Sequence, residues 1–182
     1  MDKQQLLKYC EAIDHFLTQP ATLYVYGSAA FMLLDESGRT SIDIDVAGPY
    51  SQADWADLRQ AAEQAGLPVN PEETSGKDHL EIVALPRLCL PRPAADDELL
   101  LWQGAKLTIK SASAAQLVAS KLIRYDEIDQ SDMRYLCEAM RITFDDVAAA
   151  VELLPPHFRL DRLVRDNLEN LKNDMNMWRS SP

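Results

Sequence analysis

The stretch Tyr24-Val25-Tyr26-Gly27-Ser28-Ala29-Ala30, followed after a turn by Thr40-Ser41-Ile42-Asp43-Ile44-Asp45-Val46, decides how the rest of the chain is read. Its first half is a β-rich run that breaks at a glycine and turns into a helix-forming segment. Its second half is a strand that carries two carboxylates in an apolar setting. Residues two apart on a strand share a face, so Asp43 and Asp45 point one way and Ile42, Ile44 and Val46 the other. Two acids side by side repel each other and lose solvation. A cation between them relieves both costs, and a divalent metal ion is the usual one.

Working outward, apolar residues at Leu6, Leu7, Cys10, Ile13, Phe16 and Leu17 predict a helix over 3–18, ended at Gln19-Pro20. Ala21–Tyr26 reads as a buried strand and 29–34 as a helix that Ser28 caps. Residues 35–38 form a turn, and the second strand, Ser41–Val46, stops at Gly48-Pro49. Ser51 is the expected N-cap of a helix through Trp55, Leu58, Ala62 and Ala65, closed by Gly66. After a polar loop over 68–78, the run 79–85 reads as a third strand, with Glu81 between Leu80 and Ile82. Leu99–Trp102 and Lys106–Lys110 form a hairpin. From there the pattern is helical: a capping box at Ser113 and Gln116, a helix face Leu117, Val118, Leu122 and Tyr125, a second helix from about Asp129, a third capped by Thr143, and a last one from Leu160 to Trp178. Strands with interleaved helices, then helices alone, predict an α/β (α+β) fold. A mixed-sheet core over 1–110 is followed by a C-terminal helical bundle over 111–182.

The chain has 182 residues, enough for one sizeable core, and a net charge of −11. That balance argues against general charge-driven binding to nucleic acid, which needs a basic face. The segment 77–124 is the exception, with seven basic side chains against five acids, and is the expected contributor to any anionic ligand. No apolar run approaches the roughly 18 residues of a membrane span, and the first residues lack the basic-then-apolar pattern of a signal peptide. Cys10, Cys89 and Cys137 are scattered without a CxxC pair, so they are expected to be buried thiols of a cytoplasmic protein.

Three elements carry chemistry. Gly27-Ser28 lets a backbone turn approach a ligand closely and offers free N–H groups to a phosphate, although such dipeptides are more often plain turns. Asp43 and Asp45 suit one or two Mg²⁺ ions, with Mn²⁺ as an alternative. Glu81 supplies a third acid or, equally, an edge-strand acid facing water; Glu72, Glu73 and Asp78 compete with it. His79, next to Glu81, lines the site or is an edge residue, the commoner case.

Taken together, the apolar strand, Gly27-Ser28, a gap of fourteen residues, Asp43-Ile-Asp45 and the later Glu81 strand resemble the nucleotidyltransferase superfamily of the DNA polymerase β type. Arg39-Thr-Ser41-Ile-Asp43-Ile-Asp45 is similar to the R-x-[ST]-x-D-x-D run of its bacterial minimal branch, which includes AbiEii-type toxins. Lys121-Leu-Ile-Arg124 followed by Asp129-Gln-Ser-Asp132 resembles the K-x-x-R…D-x-x-D helix pair of those proteins. The resemblance implies a nucleotidyltransferase core in which Asp43, Asp45 and Glu81 hold two metal ions and Glu81 helps activate a hydroxyl. It implies that Gly27, Ser28, Arg39, Lys121 and Arg124 bind the nucleotide. The implied partners are an NTP, a macromolecular acceptor (tRNA or protein), an antitoxin and a second copy in a homodimer, but no membrane. On the residues alone, Lys121 and Arg124 are nearly as readily a solvated or dimer-facing pair, and Asp129 and Asp132 more readily cap or bridge two helices. Competing functions are an inactive interaction protein of the antitoxin kind, a small-molecule (antibiotic) nucleotidyltransferase, and a structural Ca²⁺ site.

Overall fold

The computed structural model describes residues 1–36, 38–72, 76–94 and 96–180. Ser37 and Glu73, which the sequence places in loops, lie outside the described residues. The chain divides into two compact units, Met1–Leu88 with Glu98–Ser111, and Cys89–Asp97 with Ala112–Pro182. The fold is mixed α/β, as the element order predicts.

In the first unit, helix α1 (Lys3–Phe16) starts where the Asp2 carboxylate accepts from Gln5 N at 2.8 Å. It buries Leu6, Cys10 and Ile13 one turn apart. Strand β1 (Ala21–Tyr26) runs directly into helix α2 (Gly27–Leu33). Strand β2 (Asp43–Ala47), helix α3 (Trp55–Gln64) and strand β3 (His79–Val83) follow, then a 3-10 turn at Leu85–Arg87 and the strands β4 (Leu99–Gln103) and β5 (Leu107–Ser111). The sheet order is β3-β2-β1-β5-β4. β2–β3 and β1–β5 pair in parallel, and β1–β2 and β4–β5 are antiparallel. β1 is central, and Leu23, Tyr24 and Val25 are all buried, as a strand covered on both faces requires. α1 packs on α2 and α3, and α2 on β1 and β2. Burying side chains such as Leu6, Phe31 and Leu58 contributes about 1.5–3 kcal/mol each.

Two expected caps belong elsewhere. α2 begins at Gly27 with Tyr26 at the cap position and no side-chain cap bond, so Ser28 is inside the helix. Asp54 caps α3 through bonds to Ala56 N and Asp57 N. The Ser51 hydroxyl instead accepts from Tyr24 N and donates to Ala47 O, each at 2.9 Å, tying the end of β2 to β1.

The second unit holds helices α4 (Ala114–Ser120), α5 (Glu127–Ala139), α6 (Phe144–Glu152), α7 (Pro156–Arg159) and α8 (Arg162–Ser180). The capping box at Ser113 and the cap at Thr143 form as the sequence predicts, and Asp146 extends the latter into a second capping box. α4 ends earlier than its apolar pattern suggests: Lys121 is its C-cap, and Tyr125 takes a left-handed φ of +57° before α5. α4 packs on α5 and α6, and α8 on α6 and α7. Asn167 on α8 donates to Leu122 O at 2.7 Å, and Tyr125 donates to Asp174 of the same helix. The three cysteines are free and buried, and burial pushes the Cys10 and Cys89 thiols up to about 12. Among the described residues, no helix is long and apolar enough to cross a membrane.

Candidate metal and phosphate site

Antiparallel pairing sets Tyr26 opposite Asp45. The next residue, Gly27, therefore turns away directly over the Asp45 side chain. Its φ is +63°, a conformation glycine adopts without the steric cost of a Cβ. A Cβ there would stand 2.4 Å from Asp45 Oδ2. Ser28, one residue on, accepts from Arg39 Nη2 at 3.0 Å. Gly27, Ser28, Arg39 and Asp45 thus belong to one turn-centred group.

Parallel pairing does the rest. Asp43 lies opposite His79, and Asp45 opposite Glu81. The alternation along each strand puts all four side chains on one face. A carboxylate oxygen of Asp43, one of Glu81 and a ring nitrogen of His79 all lie within 4.8 Å of one another. Asp43 is half-buried and accepts from the Ser41 hydroxyl at 2.7 Å, which orients its carboxylate. Glu81 is also half-buried and accepts from Arg87 Nη2 at 2.6 Å. His79 is buried, with Nδ1 3.1 Å from Lys77 O. Three acids at one edge of the sheet repel, and Arg87 is the cation bonded to one of them.

Asp78, a rival third acid, is engaged with the Tyr9 hydroxyl at 3.2 Å. Neither it nor Glu72 joins the cluster. Lys121 and Arg124 meet other partners, inside the second unit. Lys121 Nζ lies 2.9 Å from Asp129 and 2.5 Å from Asp132, and all three are buried. Arg124 makes a bidentate pair with Asp129 at 2.7 and 2.8 Å. Burial pushes the Asp129 carboxyl up, but the bond from Arg124 and the charge of Lys121 outweigh it and leave the group below the ordinary carboxylate range.

From the sequence, His79 is a site-lining or edge residue and Arg87 one of the basic side chains of 77–124; the Glu81–Arg87 and Ser41–Asp43 bonds appear only in the structure. The signal for His79 is the match of His-x-Glu on β3 to Asp-x-Asp on β2, two period-two pairs that coincide once the strands pair in register. No family model matches this chain, and no curated protein or solved structure matches it.

Proposed function

We propose that the chain is a metal-dependent nucleotidyltransferase that moves an NMP from an NTP to a hydroxyl of a macromolecule, tRNA or protein. The observation that carries this reading is the packing of the Gly27 turn against Asp45, in the same β1–α2–β2 unit that presents Asp43 to Glu81. A side-chain-free turn beside carboxylates leaves room for a phosphate chain whose counter-ions those carboxylates hold. Ser28 and Arg39 add a hydroxyl and a guanidinium at the same turn, both suited to phosphate oxygens.

In this reading Asp43, Asp45 and Glu81 would hold the divalent ions, and Ser41 keeps Asp43 oriented. A bound ion supplies neutralisation of charge on the phosphate oxygens. Glu81 orients the incoming hydroxyl and takes its proton as that oxygen attacks the α-phosphorus and pyrophosphate leaves. Lys121 and Arg124 serve to hold the start of α5 against the end of α4. The net charge of −11 favours a protein acceptor, or an RNA that touches only the more basic 77–124 segment.

The test is incubation with each α-labelled NTP, Mg²⁺ and cell lysate. Label on RNA or protein that disappears with Asp43→Ala and with Asp45→Ala supports the reading. Absence of transfer, together with no Mg²⁺–NTP binding by calorimetry, overturns it.

A further inference from the structure

His79 is the residue at this cluster that an oxygen-only magnesium site does not need. It is 5 % exposed, and its Nδ1 lies 3.1 Å from a backbone carbonyl, Lys77 O. A carbonyl can only accept, so Nδ1 donates; in the neutral imidazole that a metal ion binds, Nε2 then carries the lone pair. Nε2 makes no hydrogen bond among the described residues. This is how metal-binding histidines are held: one nitrogen anchored to the protein, the other left for the ion. The strand register sets the same residue opposite Asp43 and two residues from Glu81, with donor atoms of all three within 4.8 Å.

We infer that Asp43, His79 and Glu81 form a three-ligand site for a divalent first-row transition ion, with His79 Nε2 as the nitrogen ligand, and that this site prefers such an ion to Mg²⁺. The donor set decides the preference. Mg²⁺ takes oxygen ligands and keeps its waters, whereas imidazole suits the transition ions. An imidazole nitrogen without a protein partner, set beside two carboxylates, is the ligand combination a nitrogen-binding ion completes. Arg87 occupies one oxygen of Glu81 and leaves the second to the ion. The inference rests on the proposed reading only for the location of the metal, since it does not require nucleotide transfer.

The experiment uses Mn²⁺ alone, without nucleotide, on the full chain. Calorimetry should show Mn²⁺ binding more tightly than Mg²⁺, and pulsed electron paramagnetic resonance should show ¹⁴N modulation from a coordinated imidazole. His79→Gln should abolish the modulation and cost at least about tenfold in Mn²⁺ affinity, the low end of what even an outer partner of a metal ligand is worth. If His79→Gln does not fold, the double variant His15→Gln/His157→Gln replaces the other two, exposed histidines and should keep the full modulation. Mn²⁺ bound without ¹⁴N modulation overturns the inference while leaving the carboxylate site and the nucleotidyltransferase reading intact. Mn²⁺ that binds neither alone nor with NTP overturns both.

Discussion

Gly27 and Asp45 compete for the same space: a single added carbon on Gly27 would stand 2.4 Å from the Asp45 carboxylate oxygen. The turn and the second acid are therefore one fitted part. Gly27→Ala should cost ~1–2 kcal/mol for a left-handed backbone alone, and more as Asp45 is pushed aside. Urea unfolding measures the first effect and Mg²⁺–NTP calorimetry the second. A variant that folds and binds like the parent would separate the turn from the site.

Lys121 is held by two buried carboxylates, Asp129 and Asp132. Lys121→Met leaves those charges short of a partner, and breaking a buried pair in this way costs about 3–5 kcal/mol. The chemical denaturation midpoint should fall steeply, while the folded protein keeps its NTP affinity. The reverse outcome, unchanged stability with lost nucleotide binding, would return Lys121 to the triphosphate.

The same network sets an acid sensitivity. In the folded chain Asp129 titrates below its ordinary range, because Arg124 and Lys121 outweigh the opposing effect of burial. Its contribution to stability is therefore complete above the unfolded value and is lost as pH falls through the lower, folded one, that is, below about pH 4. Denaturation midpoints recorded from pH 7 to pH 2.5 should decline in that window. With Asp129→Asn the variant starts lower and declines less.

Arg87 is 71 % exposed and bonds Glu81. A pair so open to water is worth about 0–1 kcal/mol, so Arg87→Ala should leave thermal stability close to the parent's. It also frees a carboxylate oxygen and removes a positive charge from the cluster. Divalent-ion affinity should rise, which calorimetry with Mn²⁺ detects directly.

Much of this arrangement can be read along the chain, because it depends on local rules. The break at Gly27, the shared face of Asp43 and Asp45, the capping box at Ser113 and the cap at Thr143 follow from spacing and residue type. What escapes local reading depends on distant partners. Ser51 has the right chemistry for a cap, but β1 takes its hydroxyl through Tyr24 N. The apolar pattern beyond Leu117 runs on to Tyr125, yet α4 stops at Ser120, and Lys121 and Arg124 both bind Asp129 at the start of α5. His79 is the edge-strand residue its sequence context suggests, but its place opposite Asp43 follows only from the parallel register of β3 on β2.

That register has a consequence for the life of the protein. Asp43 and Glu81 sit on strands joined through α3, so the cluster exists only after β3 has docked on β2. A nascent or unfolded chain offers an ion nothing comparable. On the proposed reading, ion binding would be linked to folding: at a free concentration 100 times its dissociation constant, an ion that ignores the unfolded chain would add about 2.7 kcal/mol. Starved of that ion, the molecule would spend more time open to proteases, so the supply of a trace metal would govern how much of this protein a cell retains.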